Sequence, residues 1–394
     1  MAALLPIAEA WSRLRALAAP LPVESVPLAA AAGRWVATDL YALRTQPSAD
    51  LSAMDGYGIR FADLPGPWRV IGESAAGRGF AGEIGSGEAV RIFTGAPLPQ
   101  GTDTVLVQEE AAREGATLRL DGEGPPTLGR NVRGRGLDFW EGDLLIRAGE
   151  RLTPARLALA GAAGHGVVAV RRKVRVAIVA TGDELIAPGA PVDEAQLPET
   201  NRLMLAAQLA DSPVELIDLG ILPDRLEVLE EAFRAVDADL LVTSGGASVG
   251  DHDLVRPALA AAGAVIDFWR IALRPGKPMM AGKLGDAIVL GLPGNPVSAF
   301  VTALLFVRPL VAHLAGAADP LPRTHTAMLG EPLARNGERT DYLRAEIRDG
   351  RVLASTLQDS AMLQTLARAT CLIVREPHAP AAETGDSVEI LDLA

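Results

Sequence analysis

At 394 residues the chain is too long for one ordinary hydrophobic core, and usual domain sizes predict two to four domains. Its formal net charge of −12 argues against a nucleic-acid groove or a polybasic membrane surface, so an anionic ligand would need a local cluster of cations. The single cysteine, Cys371, excludes an internal disulfide framework and any multi-thiolate metal site.

Residues 4 to 19 carry an amphipathic helical period. Glu9 and two arginines within that apolar run argue against a signal peptide, and a soluble, cytoplasmic protein is expected. From about 25 to 148 the texture changes to short apolar runs punctuated by Gly and Pro ("WRVIGES", "GEAVRIFTGAPLP", "TDTVLVQEE"), which predicts a β-rich region. "LTPARLALAGAAGHG" returns to helix, with Thr153 as N-cap and Pro154 at the first helical position. Strands and helices then alternate: "VRVAIVATGDEL", "TNRLMLAAQLA", "VELIDLG", "DRLEVLEEAFRAV", "ADLLVTSGGASVG", "DHDLVRPALAAAG" and "AVIDFWRIAL". "KPMMAGK" and "AIVLGLPGNP" read as further strands, and the whole predicts a parallel sheet covered on both faces. The long apolar helix from Ala299 is interrupted by Arg308, Pro309 and His313 and reads as a buried core helix, not a membrane span. From about 322 the β texture resumes and predicts a small separate domain.

Ligands of such sheets bind beyond the carboxyl ends of the strands, so residues 181–184, 244–253, 274–278 and 292–298 should converge on one crevice. Three of these loops offer glycines and hydroxyls: Thr181-Gly182-Asp183, Thr243-Ser244-Gly245-Gly246-Ala247-Ser248, and Gly291-Leu292-Pro293-Gly294-Asn295-Pro296. Either they are tight turns that need glycine anyway, or their amides cradle an oxyanion. Beside them, "RPGKPMMAGK" is a local reversal of charge, with Arg270, Arg274, Lys277 and Lys283 and no carboxylate from 270 to 283. Lysine is rare here: only Lys173, Lys277 and Lys283 occur among 37 basic residues. Asp183, Glu184, Asp224, Asp251 and Asp253 lie at or after strand ends, where they could bind a divalent cation such as Mg²⁺ together with substrate phosphate. Asp224, Asp251 and Asp253 could instead be helix caps.

Gly77-Arg-Gly79-Phe-Ala-Gly82 fits a dinucleotide fingerprint in letters only, since no helix follows. Gly276-Lys277 precedes Pro278, which rules out a phosphate-binding loop of the nucleotide-triphosphatase type. The five histidines show no ligand spacing, and His313 reads as packing. "PSADLSAMDGYGIR" could be a simple hairpin, with Asp55 as a carboxylate on a loop of approachable backbone.

Taken together, "PSADLSAMDGYGIR", "EAVRIFTGAPLPQGTDTVLVQEE", "GRNVRGRGLDFWEGD", "ATGDEL", "TSGGASVGDHD", "LRPGKPM" and "GLPGNPVSAF" strongly resemble the molybdopterin molybdenumtransferase family, which includes bacterial MoeA and the gephyrin E domain. The resemblance runs over nearly the whole chain. It implies a multidomain α/β plus β protein: an interrupted N-terminal helical domain (1–24 and 139–172), an inserted β domain (25–138), a parallel-sheet α/β molybdopterin-binding domain (173–318) and a C-terminal β-barrel (319–394). It further implies a homodimer whose inserted domain faces the partner's crevice. The implied reaction is cleavage of adenylyl-molybdopterin with molybdate and Mg²⁺ to give molybdenum cofactor and AMP, with an adenylyltransferase as the delivering partner and no role for nucleic acid or membrane. As catalytic groups it implies Asp55, Asp138, Glu184, Asp224 and Lys277, and as metal ligands Glu184, Asp224 and Asp253. As substrate contacts it implies Thr94, Arg133, Arg270, Arg274, Ser298, Arg344 and Ser360, joined by Thr181, Gly182, Ser244, Gly245, Gly246, Ser248, Pro293 and Asn295 of the three loops. Relatives often carry Lys where this chain has Arg270 and Arg274; Lys277 matches, a compact ammonium suited to a small dianion or phosphate. The competing readings are the adenylyltransferase itself, a single domain resembling 173–316, and an idle pterin-binding scaffold.

Overall fold

The computed structural model describes residues 4–245 and 254–393. At its centre is a six-stranded sheet of β1 (Val174–Thr181), β2 (Val214–Leu222), β3 (Leu240–Ser244), β4 (Val265–Trp269), β5 (Met280–Leu284) and β6 (Ala287–Leu292), in the order β2-β1-β3-β6-β5-β4. β1, β3 and β6 are almost wholly buried, as their near-continuous apolar sequences require of strands covered on both faces. Val176, Ile178, Leu240 and Val242 face one core, and Ala177, Val179, Leu241 and Val289 the other. The first core is covered by helices α1 (Asn201–Leu209) and α4 (Pro296–Leu314), the second by α2 (Leu226–Arg234) and α3 (Val255–Ala261). α4 is long and apolar enough to cross a membrane, yet it is 78 % buried in this core. Its middle, Ala303–Val307, is π-wound just before Pro309, which lacks the N–H that the regular ladder needs.

The sheet is mixed where the sequence predicted it parallel. β2, β1, β3 and β6 run parallel, but β5 is antiparallel to both β6 and β4. Only Gly285 and Asp286 separate β5 from β6, enough for a hairpin and far too short for a crossover.

Ile7–Leu17 is the predicted N-terminal helix, but its Ala10, Trp11 and Leu14 belong to the α/β core. His313 of α4 packs edge-on to Trp11, and its Nε2 lies 3.1 Å from the Ala18 carbonyl. The interrupted unit is held instead by strand pairing, Val23–Pro27 with Val167–Arg171 and Leu40–Tyr41 with Leu144–Ile146, around Val36, Ile146, Leu152 and Val170. Its pairings therefore extend past residue 25, where the sequence set the boundary. Its described α-helix, Pro154–Ala162, is capped by Thr153 as predicted. The inserted region forms a six-stranded sheet ordered 104–107, 56–59, 88–92, 68–74, 117–120, 111–114, packed on Trp68, Tyr57, Ile59 and Leu106.

The C-terminal strands His325–Leu329, Thr340–Arg348, Arg351–Ala354, Cys371–Arg375 and Ser387–Asp392 close into a barrel, because Thr340–Arg348 pairs with both Arg351–Ala354 and Cys371–Arg375. Tyr342, Leu372 and Leu391 of the barrel are buried in the α/β core. Leu273–Arg274 adds in parallel to Thr340–Asp341, so the cationic loop is stitched to the barrel.

Candidate active site

The parallel register brings the strand ends level: Ala180 is opposite Ser244, Ser244 opposite Leu292, and Thr181 opposite Leu222. β4 and β5 meet at Trp269 and Met280, with Met280 opposite Gly291, so the loop carrying Arg270, Arg274 and Lys277 leaves the same edge. The loops predicted to converge do so, as far as they are described. Gly246, Ser248 and Asp253 lie outside the described residues.

Contact between loops explains Gly245. Gly245 has φ +92°, and a Cβ there would sit 2.7 Å from the Thr181 carbonyl. At Gly182 the carboxylate of Glu184 folds back over the backbone, 2.5 Å from where a Cβ would be. Thr181 and Gly182 are buried, as are Ser244 and Pro293. Ser298 is 4 % exposed in the first turn of α4. Asn295 Nδ2 donates to Ser360 Oγ at 3.0 Å, and Val297 N donates to the Ser360 carbonyl at 3.0 Å, so the barrel closes one rim.

On the other rim three carboxylates gather. Asp224 N donates to Asp183 Oδ1 at 3.1 Å. Burial, and then the charges of Asp183 and Glu184, hold the Asp224 carboxyl above its ordinary pKa. Asp224 is not a helix cap: α2 is preceded by Arg225 and has no side-chain cap bond. Uncompensated negative charge of this kind suits a cation, although among the described residues no three His, Cys, Asp or Glu side chains are arranged to hold one. Glu184 and Asp224 are the two described members of the predicted set, and a hard cation such as Mg²⁺ commonly completes its shell with water and substrate phosphate.

The cations divide by role. Lys277 is exposed and makes no ion pair with any described residue. Arg274 pairs with Asp341 of the barrel, a carboxylate only 3 % exposed. Arg270 has φ +83°, a strained conformation for a residue other than glycine, held by Arg270 N donating to Met279 O and Leu5 N donating to Arg270 O, each at 3.2 Å. Arg344 departs from its predicted oxyanion contact. It is 1 % exposed, and its guanidinium donates to Gln358 Oε1 and to the carbonyls of Leu357, Asp359 and Met362, shaping the loop that presents Ser360.

Asp55 and Thr94 meet in the inserted domain: Asp55 Oδ1 accepts from Thr94 N at 2.7 Å and Thr94 Oγ1 at 2.8 Å, and these bonds hold its carboxyl below the usual range. Arg133, opposite Leu51, and Asp138 are exposed. The bonds of Asp55 and Thr94 stay within the inserted domain and do not reach the crevice loops.

Two residues escaped the sequence reading. Arg91 lies over the rings of Tyr57 and Phe93, at 5.2 and 4.8 Å, and donates to Gly56 O directly after Asp55. Asn201, at the start of α1, bonds two crevice loops at once. Its only signal was the "TN" that opens a helix after a strand, a common helix start.

Residues 5–164 match the family model of the MoeA N-terminal region (domains I and II), 177–313 that of a probable molybdopterin-binding domain, and 326–393 that of the MoeA C-terminal region (domain IV). A protein of Haemophilus influenzae named molybdopterin molybdenumtransferase is 38 % identical over 391 residues, covering 96 % of this chain and 95 % of the relative. One of the same name from Bacillus subtilis is 30 % identical, covering 98 % and 94 %. A crystal structure of a molybdopterin biosynthesis MoeA protein from Pyrococcus horikoshii OT3 superposes with a TM-score of 0.82 at 27 % identity, over 99 % of this chain and all of that one.

Proposed function

This chain belongs to the molybdopterin molybdenumtransferase family, and from that premise we propose how its crevice works. The activity is insertion of molybdenum into molybdopterin during molybdenum cofactor biosynthesis. The adenylyltransferase alternative is not favoured, because the N- and C-terminal MoeA regions accompany the pterin-binding one.

The substrates in this reading are adenylyl-molybdopterin and molybdate. The observation that carries it is the single sheet edge on which the ammonium of Lys277, with no ion pair among the described residues, shares a crevice with closely approaching loop backbone and the carboxylates Asp183, Glu184 and Asp224. Loop amides and the Ser244 hydroxyl bind phosphate oxygens, and Lys277 balances charge that builds on the dianion or on the phosphate as the AMP link breaks. Glu184 and Asp224, with Asp253, would hold Mg²⁺, which supplies charge neutralisation on the phosphates.

Asp55 and Thr94 act on a second subunit's crevice. Two features support a shared site: their bonds stay inside the inserted domain, and Tyr41, Leu43, Leu137, Trp140 and Val167 leave apolar side chains 48 to 68 % exposed on the interrupted unit and its junction with the insertion, as an interface would.

The test is complementation. Asp55→Ala and Lys277→Ala proteins, each inactive alone, are mixed, exchanged and assayed for molybdate-dependent AMP release with Mg²⁺. A shared site predicts recovery of about a quarter of wild-type activity, since half the dimers are mixed and each has one intact site. No recovery after demonstrated exchange refutes sharing. Binding of adenylyl-molybdopterin by the wild-type protein without AMP release under any metal refutes the mechanism.

A further inference from the structure

Asn201 is 8 % exposed, and its side-chain nitrogen donates twice, to Ser244 Oγ at 2.8 Å and to Gly294 O at 2.7 Å. Ser244 ends β3 and Gly294 follows β6, so one carboxamide ties together two of the three crevice loops. The Gly294 carbonyl can only accept, which fixes the end of the amide that faces both partners as nitrogen. Ser244 Oγ is therefore an acceptor toward Asn201, and its own proton must go elsewhere. Ser244 is 2 % exposed, and no described residue accepts that proton. Planarity adds a second consequence: with the Gly294 carbonyl turned to Asn201, the N–H of Asn295 in the same peptide points the opposite way. Neither Gly294 N nor Asn295 N has a described acceptor.

We infer that Asn201 is a positioning residue: by occupying the acceptors of Ser244 and Gly294, it turns the Ser244 hydroxyl proton and the Asn295 amide toward the phosphate of bound molybdopterin. The inference rests on the reading of this crevice as the pterin site.

Anaerobic titration with molybdopterin of the wild-type chain, Asn201→Ala, Ser244→Ala and the double variant tests it. Each single change is expected to weaken binding about tenfold, and the double change little more than either, because groups acting through one another are not additive. A merely structural role for Asn201 would give independent losses, about a hundredfold in the double variant, and would overturn the inference. Asn201→Asp has the same shape but accepts the Ser244 proton and repels the Gly294 carbonyl; it should bind at least as weakly as Asn201→Ala, and it replaces that variant if it fails to fold. Wild-type affinity in Asn201→Asp also overturns the inference. Should the wild-type chain itself not bind molybdopterin, the crevice reading falls and the role of Asn201 with it, whereas wild-type binding with independent losses removes the role of Asn201 alone.

Discussion

Replacing Lys277 by Ala should separate function from folding more cleanly than any other change at this site. The side chain is exposed and makes no ion pair with a described residue, so its removal leaves no buried partner unsatisfied. Surface changes of that kind stay within about 0.5 kcal/mol, which for a chain of this size means a melting temperature within about 2 °C of wild type. Losing one fixed charge aimed at developing negative charge is far more costly, about 10²- to 10³-fold in rate or some 3 to 4 kcal/mol. Single-turnover release of AMP and transfer of molybdenum to the pterin measures the second quantity, and scanning calorimetry the first. Lys277→Arg keeps the charge but spreads it over a planar fork, and an intermediate rate is expected. A variant that folds normally and turns over at the wild-type rate would refute the assignment. So would one that loses activity only because it melts early.

Two further changes probe the rims. Arg274→Ala strips the ion pair from Asp341, which is 3 % exposed. Breaking a fully buried pair costs about 3 to 5 kcal/mol, and because Arg274 is half exposed a loss of about 1 to 2 kcal/mol is expected, recovered by adding Asp341→Asn; an unrescued double variant contradicts this account. At Asp224 the folded pKa is raised above the ordinary 3.8 by burial and by Asp183 and Glu184. Its stabilising contribution is thus present below pH 3.8 and lost as pH rises through the folded value, leaving repulsion at neutral pH. Asp224→Asn should therefore melt higher than wild type at pH 7 without metal and lose the stabilisation Mg²⁺ gives, which for wild type at a hundredfold excess over Kd is about 2.7 kcal/mol. A lower metal-free melting temperature would contradict the repulsion.

Local sequence determined the pieces. Continuous apolar runs such as "VAIVAT" and "AIVLGL", short and bounded by turn residues, read as strands covered on both faces, and the Thr-Pro start of Pro154–Ala162 reads as a helix cap. The loops after β1, β3 and β6 were legible as one edge because parallel strands present their carboxyl ends together. Tertiary structure decided what depends on partners distant in the chain. Val23–Pro27 finds Val167–Arg171 across the whole inserted domain, so no local signal could mark where that unit begins. The roles of like residues also diverge by neighbour: Arg274 is drawn to a buried Asp341, Arg344 is buried among carbonyls, and Lys277 has no ion pair among the described residues, though all three read alike as cations in the sequence. Asn201 is the clearest case, since a helix-starting Asn acquires its role only when folding brings Ser244 and Gly294 to either side of one amide. Residue type and spacing fixed which chemistry was present, while the direction of each hydrogen bond and the pairing of each charge came from which strands and loops the fold set side by side.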